Sequence, residues 1–166
     1  MVHVAWLVDV GYVVKASDGK FRLDYIQAAQ LLGERWGSVQ GYLFNGVDAG
    51  YGIPAGLQRF YDAMAHHGMH VRLQPMDVGP GGLTRQRRVD VDFSAHLVWQ
   101  ASLPETAVLA ITTGDQDFVP AVELVRQAYG KHVLLFTYDA MVHRDLASAA
   151  DEWWKFEEHQ SRLARR

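Results

Sequence analysis

Cysteine is absent from the 166 residues of this chain. That absence excludes disulfides, thiol catalysis and every zinc site built with cysteine. Long hydrophobic runs are missing as well, for no stretch approaches the ~20 apolar residues needed to span a bilayer. The apolar run at residues 4–8 is interrupted by Asp9 and has no basic leader. It therefore does not read as a secretion signal, whose core needs ~7–15 apolar residues. An excess of positive charge is also lacking. Lys and Arg number 16 against 19 Asp and Glu, a net charge of −3, which argues against coating nucleic acid through overall charge. It leaves room for a local basic patch, and for an enzyme whose acids gather where metal ions sit. The expectation is a soluble, cytoplasmic protein with no membrane partner.

What is present suits one domain. The chain is 49% hydrophobic and 21% charged, the usual soluble mix, and long enough to bury a core. Five short apolar runs, at residues 3–8, 41–44, 70–73, 108–112 and 132–137, read as strands. Several are nearly continuous, as in parallel strands covered on both faces. Amphipathic segments at 24–36, 54–67, 90–101 and 118–129 read as helices between them, and a last helix is expected over 144–158. Asp24 marks a helix start, Pro54 suits a first turn, and Gly37, Gly68 and Gly130 suit helix ends. Alternation of this kind implies an α/β fold with a parallel sheet and right-handed crossovers. Residues 1–160 read as a single domain and 161–166 as a basic C-terminal tail.

In open parallel sheets, ligands bind outside the carboxyl ends of the strands where the strand order reverses. Asp9 follows the first strand, and Asp115 and Asp117 follow the fourth in Thr112-Thr113-Gly114-Asp115-Gln116-Asp117-Phe118. If those strands are neighbours, the three carboxylates converge. Asp90, opening the third helix, supplies another candidate. Clustered carboxylates repel one another and resist desolvation, a conflict that a divalent cation removes. Oxygen ligands favour Mg²⁺ or Mn²⁺, ions that polarise a phosphodiester and activate water. Simpler roles stand beside this one: Asp9 as a loop hydrogen-bond acceptor, Asp115 or Asp117 as a helix cap, Asp90 and Asp92 as first-turn acids. Two helical positions differ by ~200° around the axis, so Asp90 and Asp92 do not share one site. Val91, Ala95 and Val98 form an apolar stripe expected to mark the buried side, which does not choose between the two acids.

Three blocks carry a family likeness. They are Leu7-Val8-Asp9-Val10-Gly11-Tyr12, Arg88-Val89-Asp90-Val91-Asp92-Phe93 and Thr113-Gly114-Asp115-Gln116-Asp117-Phe118-Val119-Pro120, extended by Gly130-Lys131-His132-Val133 and residues 146–151. In order and spacing the chain resembles the NYN domains, relatives of the PIN-like ribonucleases. The resemblance implies a three-layer α/β/α sandwich around a central parallel sheet. It places Asp9, Asp90, Asp115 and Asp117 at the family's metal-binding acids, holding Mg²⁺ or Mn²⁺. The implied activity is metal-dependent endonucleolytic hydrolysis of RNA, expected to be single-stranded, with water attacking phosphorus in line. Two positions depart from the pattern. The Asn often found shortly after the first acid is missing, since Gly11-Tyr12 runs into Val13-Val14. The acid often found six positions after Asp90 is here His96. Those departures motivate a second reading, a non-catalytic NYN-like module that binds RNA or a protein for regulation.

Other signals are weaker. Residues 76–88 read as a Gly-rich loop expected to be mobile and positively charged, in which Arg85, Arg87 and Arg88 are candidate RNA-phosphate contacts. The stretch Gly79-Pro80-Gly81-Gly82 reads as a flexible linker, not as a phosphate loop. His66, His67 and His70 read as surface histidines, and His96 as a helix histidine bonded to a neighbour. Trp153, Trp154 and Phe156 are expected to pack the terminal helix onto the body or onto another subunit, which makes a homodimer one expected assembly. Arg162, Arg165 and Arg166 suggest a frayed basic terminus.

Overall fold

β1 (His3–Asp9) runs through the centre of the sheet, with Val4 to Val8 wholly buried. Its alternate side chains feed two separate cores. Val4, Trp6 and Val8 join one cluster and Ala5 and Leu7 the other, as the period-2 pleat demands. The computed structural model describes residues 3–79, 81 and 84–166. Six parallel strands form the sheet in the order β3-β2-β1-β6-β7-β8. Besides β1 these are β2 (Ser38–Val47), β3 (His70–Pro75), β6 (Thr106–Thr112), β7 (His132–Thr137) and β8 (Glu152–Lys155). A small antiparallel pair, β4 (Asp77–Val78) and β5 (Thr84–Arg85), stands apart. It closes the ends of the segment read as a loop. The Gly79–Gly82 stretch within it lies partly outside the described residues.

Helices cover both faces, giving the three-layer α/β/α sandwich. On the Trp6 face lie α1 (Val10–Ala16), α2 (Tyr25–Trp36), α3 (Ala55–His66) and α7 (Gln160–Leu163). On the Leu7 face lie α4 (Arg87–Ser102), α5 (Val119–Tyr129) and α6 (Arg144–Ala149). Local chemistry sets their limits. Asp24 caps α2 by accepting from the Ile26 and Gln27 amides, each at 3.0 Å. Gly130 ends α5 in the left-handed conformation, at φ 62°.

Three expectations are corrected. The last helix is not continuous over 144–158: α6 ends at Ala149, and 152–155 is an edge strand. Asp151 makes the switch, its amide donating to the Val133 carbonyl at 2.9 Å and its carboxylate accepting from the Val133 amide at 2.8 Å. The strand then sends Trp153 to one core, with its indole on Thr137 Oγ1, and Trp154 to the other, stacked on Trp36 at 4.9 Å. Adjacent aromatics that must fill opposite faces favour a strand. The aromatic cluster thus packs onto the body. Second, the buried side of α4 is not the Val91 stripe, for Val91 is 69% exposed. Larger side chains on the other side win: Phe93 meets Phe44 at 5.1 Å and Phe118 at 4.5 Å, with Val89, Leu97 and Ala101 beside it.

Third, the C-terminal residues are not frayed. Leu163 is fully buried, its carbonyl accepts from the Asp24 amide at 2.8 Å, and Arg162 grips Glu34 through two 2.7 Å hydrogen bonds. Deleting residues 161–166 should therefore cost about 2–4 kcal/mol, mostly from the emptied Leu163 site. A shifted urea midpoint at constant slope is the expected result. An unshifted midpoint would show the segment contributes nothing.

Candidate active site

The chain leaves β1 to build β2 and β3 on one side, then returns to place β6 on the other. The strand order therefore reverses between β1 and β6, and a crevice opens at their carboxyl ends. Val8 pairs with Thr112, so Asp9 emerges beside Thr113. There it accepts from the Tyr12 amide at 3.2 Å, capping α1, and from Thr113 Oγ1 at 3.3 Å. Asp115 caps the short 3₁₀ turn Gln116–Phe118 by accepting from the Asp117 amide at 2.9 Å. Asp90 sits in the first turn of α4. With Phe93 and Leu97 buried, positions 90, 93 and 97 share one helix face, and this turns Asp90 inward.

Asp9, Asp90 and Asp115 line one cavity of about 410 Å³, together with Gly11, Tyr12, Lys15, Gln86, Thr113, Gly114 and Met141. Asp117 is exposed and does not line it. Burial, chiefly, holds the Asp9 carboxyl above its ordinary value, and the Asp115 charge adds to this; the Tyr12 and Thr113 hydrogen bonds oppose it. The Asp90 carboxyl is pushed up to about 6, first by burial and then by the charges of Asp9, Asp115 and Asp117. These are the two signatures of crowded, partly desolvated carboxylates. Among the described residues, no group of three or more acidic or histidine side chains is arranged to hold a single ion directly.

Asp92 has a different task. Arg72 of β3 grips it through three hydrogen bonds, Nε–Oδ2 at 2.9 Å, Nη2–Oδ1 at 3.0 Å and Nε–Oδ1 at 3.2 Å, and His96 Nδ1 lies 3.2 Å from Oδ1. The pair fastens α4 to β3. His96 also bonds the Asp92 carbonyl at 3.0 Å and packs against Phe44 and Trp99, and it does not line the cavity of Asp9, Asp90 and Asp115. Arg87 and Arg88 are exposed on the first turn of α4 and do not line the cavity. The side chain of Arg85 lies outside what the structure describes. His66, His67 and His70 are exposed.

The chain matches the NYN domain family over residues 4–157. It belongs to that family. This NYN domain accordingly has the PIN-like nuclease fold. No curated protein matches it. Among solved structures it is similar to VPA0982, a protein of unknown function from Vibrio parahaemolyticus. The TM-score is 0.79 at 21% identity, covering 98% of this chain and 96% of that one, a likeness of fold. Among the described residues of the NYN domain, no helix is long and apolar enough to cross a membrane.

Several lining residues were not found by sequence reasoning. Tyr12 donates from its hydroxyl to the Ala140 carbonyl at 2.9 Å and the Tyr138 carbonyl at 3.2 Å, holding the loop after β7 over the crevice. Met141 of that loop adopts φ 59°, and His143 N donates to the Gly114 carbonyl at 2.9 Å. Lys15 had a signal: Gly11 and Lys15 are four apart and share a face once a helix is assigned directly after Asp9. Gln86 and Met141 had none.

Proposed function

We propose that this NYN domain is a metal-dependent endoribonuclease of the cytoplasm, acting on single-stranded RNA at the crevice between β1 and β6. The carrying observation is that three separate segments deliver Asp9, Asp90 and Asp115 to one cavity, where burial and mutual repulsion raise Asp9 and Asp90 together. A cation relieves both. The donor set is oxygen, and the cavity is broad, which suits Mg²⁺ or Mn²⁺: Mg²⁺ keeps several waters and takes one or two carboxylates plus substrate phosphates. Three acids need not meet at one point for such an ion. When bound, it would neutralise the phosphodiester and lower the pKa of water at the scissile bond.

The protein groups have distinct parts. Asp9 is held rigid by Tyr12 N and Thr113 Oγ1, and Asp115 by the Asp117 amide. Asp90 accepts no side-chain hydrogen bond among the described residues and offers both oxygens to a cation. Asp117 supports the site from its edge through charge. Arg85, Arg87 and Arg88 are proposed to receive flanking phosphates at the start of α4.

Incubation with single-stranded RNA and Mn²⁺ tests this. Wild type should cleave, Asp9→Asn and Asp115→Asn should lose 100-fold or more, the scale of removing one charge-stabilising group. Asp92→Asn should stay within about threefold, because that carboxylate serves the Arg72 pair and lies outside the cavity. Equal cleavage by wild type, Asp9→Asn and Asp115→Asn would refute the site. One observation favours a second reading, a non-catalytic RNA-binding module: among the described residues no three ligands are gathered for a single ion. Failure to bind Mn²⁺ at millimolar concentration, with RNA binding retained, would select it.

A further inference from the structure

A larger cavity, about 640 Å³, opens on the opposite side of α1 from the carboxylates. The one helix divides the two. Gly11, Tyr12 and Lys15 face the acidic crevice, while Val10, Val13, Val14 and Ser17 face this groove. Its floor is apolar, with Val13, Ile26, Leu57 and Phe60. Its rim carries Arg22, Arg59 and Arg165, all exposed, from three separate segments. The backbone ties two of them together: the Arg165 amide donates to the Arg22 carbonyl at 2.8 Å, beside a bridge between Leu23 and Ala164.

These guanidiniums differ from others in the molecule. Arg72, Arg126 and Arg162 are paired with Asp92, Asp151 and Glu34. Among the described residues, Arg22, Arg59 and Arg165 make no side-chain hydrogen bond or ion pair. The carboxylate lining the groove, Asp24, is committed to the cap of α2. Three unpartnered cations around an apolar floor, in a chain of net charge −3, set a local field that selects an anion. The floor selects flat apolar faces, with Phe60 partly exposed beside Arg59. A ligand combining repeated negative charge with flat rings is single-stranded nucleic acid, which binds through cationic grooves and aromatic stacking.

We propose that this groove holds the RNA strand flanking the scissile phosphate, so that the substrate crosses α1 from the carboxylate crevice into the arginine-rimmed cleft. Asp9 lines the crevice and Val10, the next residue, lines the groove, so a single step of the chain separates the two linings. The assignment rests on the nuclease reading for its substrate, but not for its test. Binding of a fluorescein-labelled single-stranded oligouridine to the whole chain is measured by anisotropy in EDTA, where no cleavage occurs, across a salt series. Replacing Arg22, Arg59 and Arg165 together by alanine should weaken binding at least tenfold. It should also flatten the slope of log K against log salt by about 2, from ~0.7 per phosphate contact on single strands. Phe60→Ala should weaken binding about fivefold or more with the slope unchanged, and Phe60→Tyr should restore it, as stacking requires.

Wild-type affinity and slope in the folded triple variant would overturn the groove. So would equal wild-type binding of polyglutamate, which carries charge without rings. The two proposals separate cleanly. RNA binding through the arginines without cleavage leaves the groove standing and removes the nuclease. Cleavage with binding indifferent to the arginines does the reverse.

Discussion

Asp90→Asn should melt at a higher temperature than wild type at pH 7.5 in EDTA, while losing at least 100-fold in Mn²⁺-dependent RNA cleavage. The sign follows from the raised carboxyl. Its pKa is about 6 in the folded state against an ordinary 3.8. The native protein therefore binds more protons than the unfolded chain between those values, and stability falls as pH rises through that window. The protonated carboxyl, below the unfolded value, gives the full native stability; at pH 7.5 the ionised group opposes folding. Two pKa units amount to about 3 kcal/mol at most. Partial solvent access to Asp90 reduces this to roughly 1–2 kcal/mol, or about 2–6 °C in a chain of this size. Calorimetry at pH 7.5 and again at pH 4 checks it: the gain should be present at the first and nearly gone at the second. Millimolar Mn²⁺ should raise the wild-type transition through linkage and leave the variant less changed. A lower melting temperature for Asp90→Asn at pH 7.5 would show that Asp90 is a structural acid.

The candidate site was partly legible in the sequence. Asp9, Asp115 and Asp117 were readable because strand ends announce themselves: near-continuous apolar runs stop, and an acid follows. Asp9 and Asp115 come to one cavity because the first strand and the strand before Thr113 are neighbours, where the order reverses, while Asp117 stays exposed outside it. Asp90 was harder. Its inward direction depends on Phe93 and Leu97 being the buried residues of α4, and that helix is apolar on two faces. Val91, Ala95 and Val98 gave an equally regular stripe; side-chain size against Phe44 and Phe118 decided the matter. Periodicity alone carries no information about such competition.

The fold shows the same division. Five strands and four helices were visible from runs and caps. The sixth strand was not, because Trp153 and Trp154 satisfy a helical or an extended reading equally well in isolation. Long-range hydrogen bonds from Asp151 to Val133 settle it. The docked terminus was hidden for a similar reason. Leu163 is a buried leucine beside Arg162 and close to Arg165 and Arg166, and its place is fixed by contacts far away in sequence: its carbonyl accepts from the Asp24 amide, and the next residue, Ala164, bridges to Leu23.

Gly114→Ala should be among the most damaging single-methyl additions in the molecule. A Cβ at Gly114 would lie 1.7 Å from the Met141 carbonyl oxygen and 2.8 Å from its carbon. Both are backbone atoms, so no side-chain rotation gives relief. Glycine is required here by close approach. To admit the methyl group, the loop after β7 must lift, breaking the 2.9 Å bond from His143 N to Gly114 O and the two Tyr12 hydroxyl bonds. Overpacking costs about 1–3 kcal/mol and each of the three lost hydrogen bonds about 1, so a loss of roughly 4–6 kcal/mol is expected, some 10 °C or more in the melting transition. Because Thr113 and Asp115 flank the glycine, the acid spacing changes too, and Mn²⁺ should stabilise the variant less than wild type. Gly33→Ala is the matched control. It lies within α2, and its added Cβ would meet only Val39 Cγ2 at an ordinary 3.7 Å. That substitution should raise stability by about 0.5–1 kcal/mol through helix propensity. Equal melting of the two variants would mean that the Met141 carbonyl is free to move, and that the loop does not shape the crevice.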